Sequence, residues 1–139
     1  MNIIFYWKKS YFKDEYHNTL KNLKLYTNYP LKGISPRDTV WVVTKKEDTY
    51  VLVSKFIIEK MKREISEHGD FCMVGDKSYS VFYELDDVNR KKFKSLLLGL
   101  FNWPNDEIGI YFRGKKHIQE LTDYAHQEFE KFSKKLKII

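Results

Sequence analysis

A chain of 139 residues, 42% of them hydrophobic, has room for one domain with a core of its own, which excludes both a disordered chain and two comfortable domains. Its 25 Lys and Arg against 19 acidic residues leave a formal charge of +6. Such a surplus suits a polyanionic partner such as nucleic acid, and equally a solvated, lysine-rich surface. Cys72 is the single cysteine, so no disulfide framework and no cysteine-built zinc site is expected, and its neighbours Phe71 and Met73 mark it as a small core residue. No apolar run reaches the ~18 residues of a membrane helix. The opening MNIIFYWKKS lacks the plan of a signal peptide, so the expected location is cytoplasmic.

In chain order, Asn2 to Trp7 is β-branched or aromatic and reads as a strand, with Lys8, Lys9 and Lys13 gathered where it ends. Apolar residues at 12, 16, 20 and 23 give Phe12 to Leu25 a helical spacing. Asn28 to Pro36 carries the Pro, Gly and Ser signals of a loop. Thr39–Thr44 and Thr49–Glu59 are β-formers joined by the short polar segment Lys45 to Asp48, a hairpin. Alternation sets Trp41 and Val43 on one face and Val40, Val42 and Thr44 on the other. The second arm runs on through Phe56, Ile57 and Ile58, long enough to bend and serve two sheets. Phe71–Val74 and Tyr79–Leu85 are further strands around the Gly75-Asp76 turn.

Asp86 or Asp87 then caps a helix whose core stripe is Phe93, Leu96, Leu97 and Leu100, and Pro104 lies in the break after it. Ile108–Phe112 reads as a short strand ahead of Arg113-Gly114-Lys115-Lys116. Thr122 caps a last helix with Leu121, Ala125, Phe129, Phe132 and Leu136 on one side. Residues 1–139 thus read as a single α+β domain, a small open β-barrel flanked by two or three helices.

Catalysis needs a nucleophile with its base, paired carboxylates, a metal cluster or a phosphate loop. His17, His68, His117 and His126 show no ligand spacing, and the six glycines are scattered singly, so no catalytic residue, metal or cofactor is expected. Asp38, Glu59 and Lys60 match a metal-dependent nuclease poorly in order and spacing. Binding is the better expectation. The two basic clusters, Lys8, Lys9 and Lys13, and Arg113 with Lys115, Lys116 and His117, adjoin rings: Trp7 beside the first, Tyr111 and Phe112 beside the second, Trp103 in the preceding loop. Cations that track phosphates beside rings that stack on bases are how unpaired nucleotides are held. A charge run by itself is also an ordinary solvated surface, and Trp41 suits a core or a pocket wall equally.

The amino-terminal strand ending in Trp7, Pro36-Arg37-Asp38-Thr39-Val40-Trp41-Val42-Val43, the long strand Tyr50–Ile58, Val74-Gly75-Asp76 with Ser78 and Tyr79–Tyr83, and the closing Leu121-Thr122 helix together resemble the PUA-like superfamily, in particular its EVE and YTH-like branch. Arg37 stands where family members often have glycine. The resemblance implies a β-barrel that binds DNA or RNA and takes a modified base into an aromatic pocket, as in the specificity domains of modification-dependent restriction systems. Carried over by position, it places Trp7, Trp41 and Ser54 or Lys55 at the base; Trp103 joins them on the loop argument. Lys8, Lys9, Lys13, Arg113, Lys115 and Lys116 would hold phosphates, with a nuclease or motor subunit as a further partner. The rival expectations are a protein–protein adaptor anchored by exposed rings and a small nucleic-acid hydrolase on the same barrel.

Overall fold

A computed structural model of the chain describes residues 1–101 and 117–139. Among them the chain forms β1 (Asn2–Trp7), α1 (Lys9–Asn22), β2 (Lys24–Thr27), β3 (Thr39–Lys46), β4 (Thr49–Ser66), β5 (Gly69–Gly75), β6 (Val81–Phe82), α2 (Asp87–Phe101), β7 (Ile118–Glu120) and α3 (Asp123–Ser133). The strands join in the order β2-β5-β4-β3-β1-β7, with β6 paired to β4 off that path. Only β1 and β3 run parallel, Ile4 opposite Trp41. A parallel pair needs a long crossover, and α1, β2 and the loop to Asp38 supply it.

β4 is 18 residues long. Thr49 to Ile57 pairs with β3, and Ile58 to Ser66 pairs with β5. Bending between the two halves carries the sheet round until its outer strands approach: the Thr27 hydroxyl at the end of β2 lies 2.7 Å from Nε2 of His117, just before β7. The result is a curled, open half-barrel with three helices among the described residues, an α+β fold.

Each face of the sheet has its own core. Ile4, Trp41, Val43, Tyr50 and Leu52 pack against Phe93 and Leu97 of α2 and Ala125, Phe129 and Phe132 of α3. Ile3, Phe5, Trp7, Val40 and Val42 meet Leu25, Phe56, Ile58 and Met73 inside the curl, with Tyr11, Phe12, Tyr16 and Leu20 of α1 against them. Cys72 is fully buried, and burial pushes its thiol up to about 11, the chemistry of an inert core residue.

The β3–β4 pairing slips between Val42 and Val43: Val42 faces Ser54 and Val43 faces Leu52, which leaves Val53 as the extra residue of a bulge. Bulges reset which way a strand points its side chains. Before it Tyr50 and Leu52 face the helices; after it Phe56 and Ile58 face into the curl, so Lys55 and Ile57 turn to the helix side. Asn89 of α2, fully buried, braces this stretch. Its side-chain oxygen accepts from the Leu52 N–H at 2.8 Å, and its amide donates to the carbonyls of Leu52 at 2.8 Å and Glu84 at 3.2 Å. An asparagine stands in for a strand partner there.

The hairpin, the bending β4 and the Thr122 cap, whose hydroxyl accepts from the Ala125 N–H at 3.1 Å, agree with the sequence. Several boundaries differ. α1 starts at Lys9 and stops at Asn22, because Leu23 adopts a left-handed φ of 53° and the chain re-enters the sheet as β2, an unexpected strand. β7 was likewise unexpected, and the strand expected over Tyr79–Leu85 contracts to Val81–Phe82. The Ile108–Phe112 strand lies outside the described residues.

Candidate functional site

Where β4 passes from β3 to β5, three backbone segments meet at its bend. Arg37 N–H donates to the Ile58 carbonyl at 2.7 Å, and Ile58 N–H to the Asp38 carbonyl at 3.1 Å. On the other side Asp76 N–H donates to the Ile57 carbonyl at 2.7 Å, while the Ser80 hydroxyl takes the Ile57 N–H at 2.9 Å. Gly75 opens this turn because an added Cβ would lie 2.7 Å from the Phe56 ring. The Asp76 carboxylate then accepts from the N–H groups of Ser78 at 2.8 Å and Tyr79 at 3.3 Å, an Asx turn that presents the Tyr79 ring, 66% exposed, to solvent.

Arg37, Lys55, Ile57 and Tyr79 line an open cleft of about 420 Å³. Its two cations each sit beside a ring. The Arg37 guanidinium sits 5.8 Å from the Tyr79 ring centre and 2.5 Å from Asp76. The Ser78 amide, then Arg37 and last the Tyr79 amide, hold the Asp76 carboxyl below the usual range. Lys55 Nζ sits 5.5 Å from the Trp41 ring centre and pairs with Glu130 of α3. Beneath it, Trp41 Nε1 donates to Nδ1 of His126 at 3.0 Å. Burial is the main cause holding His126 below the ordinary histidine value. Arg37 has φ of 77°. For a non-glycine residue that backbone costs ~1–3 kcal/mol, a strain that tends to persist at functional positions.

The expected cavity shared by the tryptophans is corrected by burial. Trp41 is fully buried on the helix side, its ring 5.6 Å from that of Phe129. Trp7 is buried inside the curl beside Phe12, with Nε1 donating to Glu15 at 3.4 Å. The sheet lies between them, because Ile4, not Trp7, stands opposite Trp41. Ser54 is buried too and donates its hydroxyl to the Val81 carbonyl at 2.7 Å, which fastens β6. Among the described residues, Lys55 alone of the expected base contacts lines the cleft. Lys8, Lys9 and Lys13 are exposed around the start of α1, whose apolar side packs into the curl, whereas Lys55 faces α3. Trp103, Arg113, Lys115 and Lys116 lie outside the described residues.

Asp38 keeps both carboxylate oxygens occupied, one by the amino-terminal ammonium at 2.9 Å and one by Ser35 N–H at 2.8 Å. Among the described residues no group of three or more His, Cys, Asp or Glu is placed to hold a metal ion. Arg37, Asp76, Tyr79, His126 and Glu130 are the residues that sequence reasoning did not assign to a site. The Asp-Lys-Ser-Tyr order after Gly75 was a readable signal for the turn; the bulge that aims Lys55 left none. No protein-family model matches the chain, nor does any of the curated proteins or solved structures compared with it.

Proposed function

We propose that the protein is a non-catalytic nucleic-acid-binding module and that its open cleft receives one base against the Tyr79 ring, with Arg37 and Lys55 beside it. The observation that carries this reading is a single cleft lined by the exposed Tyr79 ring, two cations and the apolar side chain of Ile57, in a chain of charge +6. An aromatic side chain flanked by cations is the arrangement that holds unpaired nucleotides. Its finer parts are proposals of the same kind: membership of the PUA-like superfamily, a modified base as the preferred occupant, an effector nuclease or motor as partner, and a cytoplasmic location. The curled sheet with its helices is compatible with a small open barrel.

Single-stranded DNA and RNA oligonucleotides titrated into the protein test it. Affinity should fall steeply with salt, with a log–log slope of about −0.7 per phosphate contacted. Tyr79→Ala should weaken binding by ~1–3 kcal/mol, the worth of one stacked base. No binding to either polymer at low salt overturns the proposal.

A further inference from the structure

Behind Lys55, and outside the residues that line the cleft, α3 carries a histidine that no part of the binding proposal uses. Trp41 is fully buried, and its indole N–H, which can only donate, points at Nδ1 of His126 at 3.0 Å. Nδ1 must therefore be bare, and the single proton of the neutral ring sits on Nε2. Nε2 lies 3.7 Å from Oε1 of Glu130, and that same oxygen is the one that holds Lys55. One carboxylate oxygen thus stands between a histidine that can charge and a lysine that lines the cleft.

A second proton on His126 would enter at Nδ1, where it meets the indole N–H as donor against donor. The ring must turn away from Trp41, and the new imidazolium competes with the Lys55 ammonium for Glu130. The charged groups facing His126 are Glu130 and Asp123 from α3, Lys55 from β4 and the amino terminus ahead of β1; β3 contributes the neutral indole. The two carboxylates favour the charged ring, while burial, Lys55 and the terminal ammonium oppose it.

We propose that His126 is a proton-operated positioning residue for Lys55: when it charges, Glu130 transfers from the lysine to the imidazolium, and the freed ammonium in the cleft takes a ligand phosphate. This rests on the nucleic-acid reading of the cleft and adds a pH dependence to it. Uptake of one proton also raises the local charge by one, so both effects favour a polyanion in acid.

The test is the affinity for a fluorescein-labelled oligothymidylate at fixed ionic strength, followed from about pH 7.5 to about pH 5.5, where histidine titrates. His126→Asn keeps an oxygen acceptor for the indole but cannot charge, and its thermal melt reports whether the fold is intact. Wild-type affinity should rise by roughly tenfold more than that of His126→Asn, the order of one charge-assisted hydrogen bond gained. Glu130→Gln, with Lys55 already released, should bind more tightly than wild type near pH 7.5 and keep only the shallower rise in acid that the charge on His126 itself supplies. Parallel profiles for wild type and His126→Asn overturn the proposal. If wild type binds no oligothymidylate at any pH, the ligand half falls together with the nucleic-acid reading. The indole N–H resonance of Trp41, followed by NMR through the same titration without ligand, separates the two cases. It should shift as His126 charges and stay still in His126→Asn; a resonance unmoved in wild type overturns the His126 half as well.

Discussion

Arg37 holds a left-handed backbone that glycine adopts freely. What the side chain does there is ion-pair with Asp76 and cover the Tyr79 ring. Arg37→Gly separates the two roles. Relief of backbone strain offsets the loss of a largely exposed ion pair, itself worth only ~0–1 kcal/mol, so urea melts should show stability unchanged or raised by up to ~1 kcal/mol. Oligonucleotide affinity should nevertheless fall severalfold. A variant that loses stability and keeps affinity would make Arg37 a structural residue.

Trp41 and Trp7 show why residue type alone could not settle their roles. Both rings are aromatic payload for a core, and both have a partner for the indole N–H, His126 for one and Glu15 for the other. Which face each occupies depends on the parallel register of β1 on β3, which sequence spacing does not supply.

At the scale of elements, the β3–β4 hairpin, α2 and α3 were legible because caps, apolar stripes and β-branched runs all point the same way. β2 was hidden because α1 ends on Leu23 rather than on a glycine, so no stop signal precedes Lys24. The bulge was hidden for a different reason: Val53 is one more β-former within Tyr50-Val51-Leu52-Val53, and an extra residue in such a run has no mark. Yet that residue decides that Lys55 and Ile57 face the cleft. Asn89 is the outside support for this stretch. Asn89→Leu would leave the buried Leu52 N–H and carbonyl without these partners, at ~1–3 kcal/mol for each group. Denaturant melts should show a loss of several kcal/mol, with the Leu52 amide losing its protection from hydrogen exchange. A loss under ~1 kcal/mol would mean that Asn89 does not brace the bulge.

For the whole molecule, two groups set separate acid windows. His126 is held below its ordinary 6.5, so below that pH the unfolded chain takes a proton that the folded one refuses. Stability from this group is full above pH 6.5 and is lost as pH falls through the folded value. Glu64 is held at about 2 by Tyr26, Lys24 and Lys62, against an ordinary 4.5. Its contribution is full above 4.5 and is lost between 4.5 and about 2. Thermal melts against pH should therefore decline in two stages, with His126→Asn removing the upper stage and Glu64→Gln reducing the lower, to which Asp76 also contributes. A single decline untouched by either variant would contradict this assignment.

Whether a nucleic acid touches the molecule, and where, is read directly by an NMR titration with a short single-stranded oligonucleotide; the proposed function predicts contact at the cleft. The backbone amides of Lys55, Ile57 and Ser78 to Ser80 should shift together and saturate, while those around Trp7 inside the curl stay fixed. Shifts confined to the lysines at the start of α1, or none at a saturating concentration, would contradict a base bound in the Tyr79 cleft.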